Sequence, residues 1–185
     1  MRNTILRILL LFSFAPLIHA QAAATASSDY QPEGSIRNYF LGAWKLVATE
    51  VRYPDGHTTP YPDLGPNATG FLLYTPSGHM CAQLMKPGRP KWVDAEHPTA
   101  AEAASALDGF NSYCGTFELR ESERTMIHRP ETAWSPGWVG SEQSRPYHLI
   151  NPNRFFFRGE DPVDQKDGTR IVLTWMITWE RLAAK

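Results

Sequence analysis

From residue 40 onward the sequence alternates apolar and polar positions in short runs separated by Gly and Pro. The last run is the clearest. Ile171, Leu173, Trp175, Ile177 and Trp179 fall on one side, while Arg170, Thr174, Thr178 and Glu180 fall mostly on the other. A period of two sends successive side chains to opposite faces of a strand, so one face is buried and one is wet. Near the start, Trp44, Leu46 and Ala48 share a face opposite Lys45, Val47 and Thr49. A Pro/Gly-rich loop spans 54–66. The runs GFLLYT (70–75) and HMCAQLM (79–85) predict a hairpin turning at Pro76-Ser77-Gly78. Further strands are predicted over 112–120, 124–131, 141–150, 153–158 and 169–181, and 160–168 reads as a loop. About eight strands close a small barrel with room for one ligand, and closure removes exposed sheet edges.

One helix interrupts this meander. Thr99 and Glu102 have capping-box spacing, Ala-rich residues follow, and Gly109 can end the turn. The helix falls between the third and fourth predicted strands. In a barrel it either covers one end or packs against the side.

The first 22 residues have a different pattern and read as a signal peptide. Arg2 and Arg7 supply a positive start, residues 8–18 are apolar but for Ser13 and Pro16, and Ala20-Gln21-Ala22 has small residues at cleavage spacing. The alternative is an uncleaved N-terminal anchor, for which the apolar run is short. Residues 23–35 are small and polar and read as a disordered leader, followed by one domain over 36–185. The mature protein is therefore expected to be secreted or periplasmic, with no stable membrane insertion after cleavage.

Composition sharpens the picture. Six Trp, seven Tyr and nine Phe in 185 residues suit a strand-rich core, and fifteen Pro with thirteen Gly suit many turns. The formal net charge is −1, with no basic stripe, so nucleic acid is not an expected partner. Cys81 and Cys114 are the two cysteines; an exported protein permits one disulfide between them, and two separate small residues are the alternative. Asn67-Ala68-Thr69 is a glycosylation sequon, relevant only in a eukaryote.

Several motifs in order resemble the bacterial and fungal lipocalin-like proteins of the calycin group. They run from Leu41-Gly42-Ala43-Trp44-Lys45-Leu46-Val47 through Asp55-Gly56 to Gly70 and Tyr74-Thr75-Pro76-Ser77-Gly78-His79-Met80. Tyr113-Cys114-Gly115-Thr116-Phe117 follows, then His128 and Glu131, then Pro136, Trp138, Gly140, Gln143 and Arg145. The resemblance covers about residues 37–181. Cys81 stands where the family commonly has a small residue, and Cys114 where an aromatic is usual. Arg129-Pro130 also departs, because Pro removes a ladder donor and suggests an edge or bulge. The resemblance implies an all-β, up-and-down antiparallel barrel with an internal cavity, without implying one function.

With Trp44, Leu46 and Trp179 facing inward, parity turns Met80, Ala82 and Leu84 inward as well. It does the same for Tyr113, Gly115, Phe117, Met126, His128, Gln143, Arg145, Tyr147 and Leu149. Cys81 and Cys114 then point outward from neighbouring strands. Arg145 would lie in an apolar interior, where a lone charge is costly. It needs Glu131, Glu50 or an acidic ligand group as partner, and so either ties the barrel or clamps a ligand oxygen. His128 is a potential general acid or base, or a hydrogen-bonded strand histidine. Tyr74 and Tyr113 either donate to a ligand oxygen or sit satisfied in the core. Trp134 and Trp138 either wall the cavity mouth or plug the end of the barrel. Met80, Gln143 and Trp138 complete the candidate ligand contacts.

No HExxH, Cys/His cluster, GxSxG, phosphate loop or GxGxxG occurs. Hence no metal or other cofactor is expected. Three functions remain open: a binding protein for a small hydrophobic or amphipathic molecule; an isomerase, cyclase or dehydratase using His128 and Arg145 on a polyketide- or terpenoid-like substrate; and an interaction module with a filled barrel.

Overall fold

The computed structural model describes residues 29–183. The expected signal peptide and residues 23–28 of the expected leader lie outside the described residues. Of the remaining leader residues, Tyr30 lies against the barrel. Its N–H donates to the Leu149 carbonyl (3.0 Å), and its ring packs on Tyr39.

The order is α1 (Ile36–Phe40), β1 (Gly42–Arg52), β2 (Thr58–Pro60), β3 (Thr69–Tyr74), β4 (His79–Met85), α2 (Ala100–Leu107), β5 (Phe110–Arg120), β6 (Thr125–Ala133), β7 (Gln143–Asn151), β8 (Arg154–Asp164) and β9 (Arg170–Arg181). All neighbours pair antiparallel, and β1 also pairs with β9, so β1 and β3 to β9 close an eight-stranded barrel. The short β2 lies inside the predicted 54–66 loop and continues the β3 side of β1. The hairpin between β3 and β4 turns where expected, with Gly78 at φ +87°. Among the described residues no helix is long and apolar enough to cross a membrane.

Two details differ from the sequence reading. Ala48 was expected inside, but β1 bulges between Leu46 and Ala48 against β9, and Thr49 and Val51 take the buried positions. Residues 160–164 were expected in a loop, yet they extend β8 against β9 as far as Asp164 opposite Arg170. Beyond Phe157 this part of β8 has no β7 partner. Pro162 therefore occupies a strand with one free edge, where its missing N–H is tolerated.

Pro130 marks a bulge as well. The β5–β6 register slips between Cys114 and Gly115, so that Gly115 faces Pro130. A Cβ on Gly115 would lie 2.0 Å from the Arg129 carbonyl oxygen, so only glycine fits. Cys81 and Cys114 stand directly opposite each other on β4 and β5, with Cα atoms 4.1 Å apart, and form a disulfide.

One end of the barrel is filled. The helix α1, which the sequence pattern did not reveal, is capped by Ser35 and inserts Tyr39 and Phe40. The Phe40 ring meets Tyr147 and Phe155 edge-on at 4.9 and 5.0 Å, and Trp44 meets Phe155 at 4.7 Å. Edge-to-face aromatics add to the area they bury. Trp44 donates from its indole to the Phe40 carbonyl (2.8 Å). The Arg181 guanidinium lies 4.1 Å from the Trp44 ring and donates to the Leu41 carbonyl (2.9 Å), sealing this end.

Candidate functional site

The other half of the barrel holds a cavity of about 850 Å³, within the range of small-molecule sites. Its apolar wall comes from inward positions of the strands, among them Leu72, Ala82, Leu84, Phe157 and Ile177. Trp134, Trp138, Trp175 and Trp179 line it too. The exposed side chains of Leu107, Glu160 and Asp161 mark the mouth. The helix α2 has the expected capping box and contributes Ala104 and Leu107 to that rim.

His128, Arg145, Gln143, Tyr113 and Trp138 all line this cavity. Met80 and Tyr74, expected among the ligand contacts, do not. They face each other across β3 and β4 at the level of Gly42, close to the aromatic plug, where Tyr74 meets Phe40. Tyr74 instead stands behind His128. Its hydroxyl is 2.5 Å from His128 Nε2, and the Tyr113 hydroxyl is 2.9 Å from Nδ1. His128 is 1% exposed, and burial, helped by the positive Arg145, holds its pKa well below the usual imidazole range. It is therefore neutral at physiological pH. Burial pushes the Tyr74 phenol well up; it raises Tyr113 also, with the Arg145 guanidinium opposing.

Arg145 pairs with neither Glu131 nor Glu50. It donates to the Ser144 carbonyl (3.0 Å) and to Gln143 Oε1 (3.3 Å). Its guanidinium lies between Trp138 (5.9 Å) and Trp175 (5.6 Å), positions suited to cation–π attraction. Gln143 is held in turn by a hydrogen bond to Ser141 Oγ (2.8 Å). Trp175 can lie flat on β8 because residue 159 is glycine; a Cβ there would sit 2.1 Å from the indole.

Other contributors were not singled out from sequence. Thr49 reaches the cavity through the β1 bulge, and Tyr61, Asp63 and Leu64 come from the loop after β2. Thr49 Oγ1, Asn111 Oδ1 and Trp179 Nε1, on three of the lining residues, are buried polar atoms without a hydrogen-bond partner in the protein among the described residues. No three His, Cys, Asp or Glu side chains gather as a metal site among the described residues.

Comparison with known proteins agrees with this architecture. A family profile described as a lipocalin-like domain matches residues 41–182. The chain is also similar to the 4'-hydroxy-3'-methoxypropiophenone carrier protein ppsC of Aspergillus oryzae (strain ATCC 42149 / RIB 40). The two are 33% identical over 78 residues, covering 38% of this chain and 70% of that protein. With the closed barrel and its cavity, the matched span establishes that the chain belongs to the lipocalin-like domain family.

Proposed function

We propose that this protein is an exported carrier that holds one small, planar, amphipathic molecule in the open half of its barrel. The observation that carries the reading is the cavity itself, walled by four tryptophans and given a polar side by Tyr113, Gln143 and Arg145. Apolar walls supply most of the affinity in such sites, and a few polar groups fix orientation. The carrier named for a hydroxyaryl ketone supports a ligand of that general kind. Export is supported by the signal-peptide pattern of residues 1–22 and by the Cys81–Cys114 disulfide, which suits an oxidising compartment.

A second reading is favoured by His128 and Arg145 opening onto the same cavity, as an isomerase, cyclase or dehydratase would require. Against it, both ring nitrogens of His128 are engaged by tyrosine hydroxyls, leaving neither to take a substrate proton directly.

The tryptophan lining supplies the test. Titration with a series of hydroxyaryl ketones is expected to quench intrinsic fluorescence saturably at one ligand per chain. Ala82→Trp, which fills the cavity from β4, is expected to abolish it. No saturable change with any of the series, or an unchanged response in the filled variant, contradicts the carrier reading.

A further inference from the structure

We propose that the ligand is held as an anion, its acidic oxygen docked between the Tyr113 hydroxyl and the Arg145 guanidinium. The inference rests on the carrier reading and specifies the chemistry of the ligand.

The hydrogen-bond count around His128 fixes the direction of the protons in the cavity wall. A neutral imidazole has one N–H and one acceptor nitrogen. His128 lies between two hydroxyls, so one tyrosine donates to it and the other accepts from it. The Tyr74 hydroxyl is buried and has His128 as its hydrogen-bond partner. Accepting from Nε2 would leave the phenolic proton of Tyr74 orphaned in the core, which is costly. The chain that orphans nothing has Tyr74 donating to Nε2 and Nδ1–H donating to the Tyr113 oxygen. The Tyr113 proton is then free to point into the cavity.

Arg145 stands beside it. Trp138 bridges the two, its ring 5.3 Å from that of Tyr113 and 5.9 Å from the guanidinium. The present partners of Arg145 are a backbone carbonyl and an amide oxygen, both neutral. This contrasts with Arg129, which pairs with Glu118 and Glu142 on the outside of the barrel. A hydroxyl proton and a cation converging on one apolar space match an oxygen that carries charge, because charge-assisted hydrogen bonds are about twice as strong as neutral ones.

The other charged and titratable groups around the cavity do not supply that charge. His128 is neutral. Tyr61, whose phenol is raised by burial and by Asp63 and Asp161, feels Arg145 as an opposing influence. Asp63, Glu160 and Asp161 stand exposed at the mouth, where water and salt screen them. Asp108 on the α2 side faces Lys86 at 3.4 Å.

The test uses 4-nitrophenol, which absorbs visible light as the phenolate, and its methyl ether 4-nitroanisole, which has no acidic proton. Bound nitrophenol is expected to ionise about one to three pH units below the free compound. The phenolate is expected to bind at least about tenfold tighter than the ether, the scale of one charge-assisted hydrogen bond. Arg145→Met should abolish the shift in ionisation and narrow the preference. The wild-type pair decides the matter even if that variant folds poorly. Equal affinity for both compounds, with the phenol's ionisation unmoved or raised, overturns the anion inference while the carrier reading stands. If neither compound binds and the hydroxyaryl ketones fail too, the carrier reading falls and takes this inference with it.

Discussion

Imidazole removed from water loses the hydration that stabilises its charged form, and at His128 the positive Arg145 adds to the penalty. The folded-state pKa is thus lowered from the 6.5 of an exposed histidine. Below that value the unfolded chain binds a proton that the native protein excludes, so acid favours unfolding. His128 therefore contributes stability that is present above the unfolded-state pKa and lost as pH falls. The slope is at most about 1.4 kcal/mol per pH unit for this one group. Urea denaturation is expected to show stability falling between about pH 7 and pH 5, and His128→Gln should flatten that limb. A variant with the same slope as the parent would place the pH dependence elsewhere. Tyr74→Phe is expected to cost about 1–3 kcal/mol, because it strips a buried nitrogen of its donor.

At the scale of elements, β4 and β5 are tied by hydrogen bonds and by the Cys81–Cys114 bridge, which spans 33 residues including α2. Closing a loop of that length restricts the unfolded chain by about 3–4 kcal/mol. Reduction, or Cys81→Ala with Cys114→Ala, is expected to lower the Tm by about 6–16 °C in a scanning calorimeter. A shift below one or two degrees would mean that the bridge adds little to the barrel. The β3–β4 hairpin was legible from its turn at Pro76-Ser77-Gly78, and β9 from the alternation of Ile171, Leu173, Trp175, Ile177 and Trp179 with their neighbours. The same parity brought Tyr113, His128, Gln143 and Arg145 to one wall of the cavity. The switch at Val47 was not legible, since a bulge inserts one residue without changing composition. Nor was the end of β8, where Glu160, Asp161 and Pro162 look like loop but pair with Thr174, Leu173 and Val172. Tyr61, Asp63 and Leu64 come from a segment with no period, so pattern reasoning had nothing to grip. Tyr74 and Met80 had the correct parity but the wrong depth, because the plug supplied by α1 sets how far the cavity reaches.

The whole molecule divides along its barrel axis. Around α1, edge-to-face aromatics and the Arg181–Trp44 contact fill the interior and hold the shape. Around α2, the same inward positions leave space, tryptophans line it, and one arginine faces it without a carboxylate partner within ion-pair distance among the described residues. Rigid filling at one end and a polar-sided cavity at the other suit a protein that holds a molecule. Native mass spectrometry of the protein isolated gently from its own host tests this most directly. The expected result is one small-molecule adduct per chain, absent from Ala82→Trp prepared in the same way. An empty wild-type barrel that also takes up no hydroxyaryl ketone, or an adduct that persists on the filled variant, would contradict the account.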